Sequence, residues 1–216
     1  MNKNFIKILR PGINTTFQDL GRNNLCHIGI PFSGAMDNRN FLLSNKLVKN
    51  NLNTPVIEFA YQGPHLKYHG EKLNIAITGD VSFKIKKKKE IINGSCYESY
   101  LLENNDEIDV YSTNKSVYGY LALGAELDLK FQWESCSINT KANIGSNSGK
   151  KISAGQEFYI KKINKDHSKK KISYINTKID KIRVLQGTNF NYFSDKAKKN
   201  FLRMNFLFQN SPIEWV

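Results

Sequence analysis

Between Thr15 and Asp37 the chain gathers residue types that can hold a ligand. Thr15-Thr16-Phe17-Gln18-Asp19-Leu20-Gly21-Arg22 is followed, after a short spacer, by Gly29-Ile30-Pro31-Phe32-Ser33-Gly34-Ala35-Met36-Asp37. Hydroxyls, an amide, two carboxylates and a guanidinium stand beside glycines, which lets backbone approach a ligand closely. Arg22, next to Gly21, has the fork geometry for a carboxylate or phosphate, and equally for an ion pair with Asp19 or Asp37. Gln18 and Asp19 offer an acceptor, donors and a charge suited to a lactam or urea-like group, or to the backbone of their own loop. Thr16, Ser33 and Gly34 complete the constellation. On residue types alone, a ligand site and a pair of structured turns fit equally well.

Three other positions carry chemistry. Glu58 interrupts the apolar run Val56–Tyr61, so it is either paired, with an arginine for instance, or held with a raised pKa. His27 follows the first half of the stretch and is placed to line the same pocket. His65 and His69 are four apart, a metal spacing on a helix, but Pro64 and Gly70 argue against a helix there, and no metal site is expected. Ser33 lacks the flanking pattern of a nucleophile elbow, so a serine hydrolase is not expected.

The elements that must position these groups read as mainly β. Phe5–Leu9 is a first strand, ended by Arg10-Pro11-Gly12. Asp37 caps a helix over about 37–49, with Phe41, Leu43, Leu47 and Val48 at helical spacing. From Val56, short apolar runs alternate with Gly, Asn and Asp turns: 56–61, 66–69, 73–78, 81–85, 90–92, 97–102, 107–111 and 117–123. Such spacing predicts an antiparallel barrel or sandwich and excludes βαβ folds. There is no phosphate-binding loop or dinucleotide fingerprint. Leu127–Gly155 is a long polar loop, Phe158–Ile160 a strand, and a domain boundary is expected in the charged segment after 162. Ile182–Gly187 is expected to open another strand, and Ser194 to cap a helix toward Leu207.

Composition narrows the function. The 216 residues carry a net charge of +13. Most of it is lysine, with arginine only at 10, 22, 39, 183 and 203, and the runs Lys86–Lys89 and Lys169–Lys171 lack interleaved aromatics. They read as solvated loop or hairpin tips rather than a nucleic-acid surface. Three scattered cysteines form no metal or redox pair. No run of about 18 apolar residues and no signal sequence is seen, which predicts a cytoplasmic protein that does not enter a membrane.

The two-part stretch resembles the N-terminal signature of the carboxyltransferase A/B family, roughly T-T-x-Q-D-x-G-R followed by G-x-P-x-S-G-A-M-D. That family includes the C-type subunit of 5-oxoprolinase, also called allophanate hydrolase subunit 2, and the carboxyltransferase domain of urea carboxylase. The resemblance implies a cyclophilin-like antiparallel β-barrel over 1–162, a linker over 163–181, and a second barrel beginning at 182–216 and incomplete at Val216. It implies a subunit of an ATP-dependent amidohydrolase that works with a B-type 5-oxoprolinase subunit, and with an A-type subunit, to activate a lactam or urea-like amide. ATP with Mg would be shared with the partner. Asp19, Arg22, Asp37 and Glu58 would serve catalysis, and Thr16, Gln18, His27, Ser33 and Gly34 would bind substrate. Family members also carry an acid where Glu58 stands, before Gly63-Pro64.

Two rival readings follow from the same resemblance. One is the acceptor domain of a biotin-dependent, urea-carboxylase-like enzyme, which needs a biotinylated partner because this chain has no Met-Lys-Met carrier motif. The other is a non-catalytic regulatory subunit of a kinase-inhibitor pair. Departures from the family pattern favour the last. Asn24 and Leu25 stand where a glycine and an aromatic are usual. Glu134-Ser135-Cys136-Ser137-Ile138 aligns with a Gly-Ser-Arg-Ser-Thr motif, so its arginine is Cys136 and its threonine Ile138. A double glycine has become Gly124-Ala125.

Overall fold

The structure, a computed structural model, describes residues 4–173 and 184–203. The chain forms two compact units, Met1–Tyr174 and Ile175–Val216.

In chain order the first unit contains β1 (Phe5–Arg10), β2 (Thr16–Gln18), α1 (Asn38–Leu47), β3 (Val56–Ala60), β4 (His65–His69), β5 (Leu73–Thr78), β6 (Val81–Lys86), β7 (Ile91–Gly94), β8 (Ser99–Leu102), β9 (Glu107–Thr113), β10 (Tyr118–Leu123), β11 (Ala125–Leu127) and β12 (Glu157–Ile163). They make two antiparallel sheets, one of seven strands ordered β11-β12-β1-β4-β9-β6-β7 and one of five ordered β2-β3-β10-β5-β8. The expected mainly-β fold with few helices is present as two sheets.

Period-two alternation builds the main core. In β6, Val81, Phe83 and Ile85 are buried while Ser82 and Lys84 face water. Such residues from both sheets meet in one cluster, with Ile6, Ile8, Leu66 and Ile108 from one and Phe17, Ile57, Phe59, Ile75 and Leu121 from the other. The five-stranded sheet is covered on both faces, so β3 and β5 are buried along their whole length. Its outer face carries α1, where Phe41, Leu47 and Val48 pack on Val56, Ala76, Tyr120 and Ala122.

Asp37 caps α1 as expected, its carboxylate accepting from the Asn40 amide at 3.0 Å. The inner face of the helix differs from the expected apolar stripe. Leu43 is only half-buried, and Ser44 and Asn45 are buried in its stead. Both are satisfied locally. Ser44 Oγ donates to the Phe41 carbonyl, and Asn45 Nδ2 to that of Thr54, which ties the helix exit to the turn before β3. Asp37→Ala is expected to cost about 1 kcal/mol by loss of the cap. Thermal melting measures it, and an unchanged midpoint would show that the Asn40 amide finds another acceptor.

The strands the sequence predicts are present with small shifts, and β11 is an addition. Ala125 and Glu126 pair with Ile163 and Lys162, a strand too short to announce itself by alternation. Lys87–Lys89 lies at the β6–β7 turn as expected, while Lys86 ends β6 and pairs with Asp109 at 3.2 Å, and β7 is the last strand of its sheet. Lys169–Lys171 is exposed as expected, but it is not a free tip. Lys169 and Lys171 both pair with Glu98, and the Lys170 carbonyl accepts from the Ser99 amide at 2.8 Å. The charged segment after 162 is thereby held against the sheet that contains β8, and Asp166 pairs with Lys49.

In the second unit, α2 (Asp195–Arg203) begins where Ser194 Oγ accepts from the Ala197 amide. Val184–Gly187, expected to continue a strand from Ile182, has no regular structure, and Ile182 and Arg183 lie outside the described residues. Among the described residues, no helix is long and apolar enough to cross a membrane.

Candidate functional site

Strand register collects the polar residues. Thr16 pairs with Glu58, Glu58 with Tyr120, and Tyr120 with Thr78, so one row crosses β2, β3, β10 and β5 on a single face. This is the outer face of the five-stranded sheet, and Gln18 shares it two residues from Thr16. The second half of the signature and the start of α1 lie over the row. The Met36 amide donates to Glu58 Oε2 at 2.8 Å, the Asp37 amide to Tyr120 Oη at 2.7 Å, and Thr78 Oγ1 to the Asn40 carbonyl at 2.7 Å. Tyr120 Oη in turn donates to Glu58 Oε2 at 2.9 Å.

Glu58 is 6% exposed, and among the described residues it has no arginine beside it. Burial raises its pKa, the Met36 amide and the Tyr120 phenol pull it back, and Asp37 pushes it up. Of the two sequence readings, the raised carboxyl is the one realised. Asp37 itself is engaged in capping, holding both the amide and the side chain of Asn40.

Asp19 has a different task. Its buried carboxylate accepts from the Gly21 amide, Ser135 Oγ, the Cys136 amide and Ser137 Oγ at 2.5–2.8 Å. The Ile138 amide donates to the Phe17 carbonyl at 3.0 Å, so residues 135–138 run along the free edge of β2. The long polar loop is thus pinned to the first half of the signature through one carboxylate.

Arg22 is 1% exposed. Its Nε donates to the Gln132 carbonyl at 3.2 Å, and one terminal nitrogen, Nη2, to the carbonyls of Ser137 at 2.8 Å and Ser135 at 3.4 Å. Burial lowers its pKa, while Asp19 and Cys136 oppose the shift. Cys136, where the family motif has arginine, is a buried thiol whose pKa burial pushes well above the usual value. Such a thiol is inert as a nucleophile.

Among the described residues of this region, three buried polar atoms have no partner: Gln18 Oε1, Arg22 Nη1 and Ser146 Oγ. Gln18 Nε2 is fully used, donating to Thr16 Oγ1 and the Ile138 carbonyl, both at 2.9 Å. An unpaired buried donor or acceptor costs about 1–3 kcal/mol, so such atoms call for a ligand or water. Taken singly, Gln18 Oε1 is an acceptor and Arg22 Nη1 a donor.

The two halves of the signature close on each other through backbone. The Arg22 amide donates to the Phe32 carbonyl at 2.7 Å, and the Ala35 amide to the Asp19 carbonyl at 2.9 Å. Gly21 (φ +86°) and Gly34 (φ +91°) allow it, since a Cβ on either would meet the other half's backbone at 2.7–3.0 Å. Ser33, also left-handed at φ +58°, accepts from Asn139 Nδ2 at 3.4 Å. The structure thus brings Thr16, Gln18, Glu58 and Asp37 to one face and Asp19 and Arg22 to the adjoining loop. It does not bring in His27, which is exposed on a 3-10 turn over Cys26–Ile28. His65 and His69 sit on β4, His65 with Glu107 at 3.0 Å and His69 stacked on Phe5.

Sequence reading missed Tyr120 and Ser146, and gave Ser135 and Ser137 only as motif positions without a role. Tyr118, Tyr120 and Ala122 alternate along β10, so the face of Tyr120 was predictable but its partner Glu58 was not. Ser135 and Ser137 have the same period-two spacing within a stretch read as loop.

A family model described as carboxyltransferase domain, subdomain A and B, matches residues 28–211. Urea amidolyase of Saccharomyces cerevisiae is 30% identical over 156 residues, 72% of this chain and 8% of that protein. The C-type 5-oxoprolinase subunit of Haemophilus influenzae is 27% identical over 220 residues, 97% of this chain and 70% of that one. The crystal structure of the Kluyveromyces lactis urea carboxylase matches with a TM-score of 0.69 at 28% identity, covering 74% of this chain and 14% of that chain. The chain therefore spans a small part of the yeast enzymes and most of the bacterial subunit.

Proposed function

Because this chain belongs to the carboxyltransferase domain family, subdomains A and B, we propose that it is a subunit of an ATP-dependent amidohydrolase of the 5-oxoprolinase type, acting with a B-type partner and an A-type subunit. The observation that carries this reading is the unpaired, buried pair Gln18 Oε1 and Arg22 Nη1 within the signature. Gln18 Oε1 accepts the N–H of a lactam or urea-like amide, and Arg22 Nη1 donates to its oxygen. Opposite charge beside that oxygen stabilises the negative charge that builds there when the amide is activated. Glu58, held with a raised pKa, gives or takes the proton of ring opening. Asp19 keeps the 135–138 wall in place rather than touching substrate.

ATP with Mg does not fit the described residues. They supply one buried guanidinium at the site, and the N-terminus of α1, into which the Gly29–Asp37 loop leads, is occupied by its own Asp37. The nucleotide and its metal belong with the partner in this reading, and the part of this chain is to hold and orient the amide. In the same reading the two sheets close as a cyclophilin-like barrel and the complex is cytoplasmic; much of the second barrel expected over 182–216 lies outside the described residues.

The test is ATP turnover by this protein mixed with its B-type partner, with and without 5-oxoproline. Lactam-stimulated turnover is expected. Arg22→Lys keeps the charge but cannot serve three carbonyls and a ligand at once, so about a tenfold loss is expected. A complex that forms and shows no stimulation overturns the proposal. Two alternatives then separate. Transfer from a biotinylated partner to urea supports an acceptor domain like that in the yeast relatives. Silence in both assays supports a regulatory subunit, the reading that the inert Cys136 favours.

A further inference from the structure

Glu58 Oε2 accepts two hydrogen bonds, from the Met36 amide at 2.8 Å and from Tyr120 Oη at 2.9 Å. A carboxyl oxygen has two lone-pair directions, so both on Oε2 are taken. A proton on that oxygen would displace one of these donors. The other side of the phenol is also fixed, because Tyr120 Oη accepts from the Asp37 amide at 2.7 Å. With its in-plane lone pair aligned to that amide, the phenolic proton is directed at Glu58.

The geometry points to Tyr120 as a positioning residue for Glu58, one that orients the carboxyl so that its proton is taken up and released at Oε1. Where this proton sits depends only on the contacts above; its use in amide opening rests on the function proposed here. The groups facing Glu58 are Asp37 from the head of α1 and Tyr118 and Tyr120 from β10. Burial, reinforced by Glu58, keeps the Tyr120 phenol far above its usual pKa, so it stays a neutral donor while Glu58 titrates. Tyr120 is fully buried, which keeps water from competing for Oε2.

Carboxyl-carbon NMR titration of the full chain tests this, with Glu58→Gln identifying the Glu58 signal. Tyr120→Phe takes a donor from the charged form, and the Glu58 midpoint is expected to rise by about one pH unit. This variant also deprives the Asp37 amide of its acceptor and can fail to fold. A second variant therefore carries 3,5-difluorotyrosine at position 120, which keeps both contacts and makes the phenol a stronger donor. There the midpoint is expected to fall. A midpoint that stays put in the folded variants, even with a lower melting temperature, means that Tyr120 only packs and overturns the inference. In the assembled enzyme the Glu58 limb of the pH–rate profile is expected to move with the NMR midpoint. An NMR shift without a rate shift keeps Tyr120 as the positioning group and removes Glu58 from catalysis, so the two claims fail separately.

Discussion

Asp19→Ala is expected to destabilise the protein by about 4 kcal/mol, the largest effect of any substitution in the signature. The carboxylate is buried and holds two backbone amides and two serine hydroxyls. Alanine leaves all of them without an acceptor in a space water does not reach. Hydrogen bonds to a charge contribute more than neutral ones, and an unmade buried one costs its full desolvation. The Arg22 guanidinium next to it also loses its neighbouring negative charge. Asp19→Asn keeps the shape but turns an NH2 group toward donors, so it should lie between wild type and alanine. Urea unfolding of the three proteins measures the series. A loss below about 1 kcal/mol for alanine would mean that residues 135–138 hold themselves in place.

Gly21→Ala should cost about 3 kcal/mol, and Gly29→Ala only about 1 kcal/mol. Both glycines are left-handed, at φ +86° and φ +81°. The difference is what a methyl group meets. At Gly21 it lies 2.7 Å from the Phe32 carbonyl oxygen and 2.9 Å from that of Ser33, whereas at Gly29 nothing lies within 4 Å. The strained dihedral is common to both, so the gap between the two variants isolates the close approach of the signature's halves. Equal unfolding midpoints would show that the halves can separate without penalty.

The alternating strands and the capped helix were readable because each depends on neighbours in sequence. Val81, Phe83 and Ile85 announce their face by period, and Asp37 announces its helix by position. The inner face of α1 was not readable, since Ser44 and Asn45 are buried for bonds to Phe41 and Thr54 rather than for apolarity. The site divides in the same way. Gln18, Asp19, Arg22 and Glu58 stand out as polar groups in apolar or glycine-rich surroundings. Their roles needed distant partners. Asp19 reads as a site acid until Ser135 and Ser137 are brought to it from more than a hundred residues away. Glu58 reads equally as half of an ion pair or as a raised carboxyl until register sets Tyr120 opposite it.

The lysine turn at Lys87–Lys89 takes on a meaning from the strand it leads into. Among the described residues β7 closes its sheet with one side of its backbone unmatched, and Ile91 at its start is exposed. A bare edge of this kind invites a second copy to add its own strand and so begin a growing aggregate. The strand is only four residues long. Two copies zipped along it in parallel would bring both lysine turns to the same end of a short ribbon, where like charges repel over roughly 8 Å at physiological salt. Positive charge at this turn is then a colloidal safeguard that keeps a bare sheet edge from adding to itself.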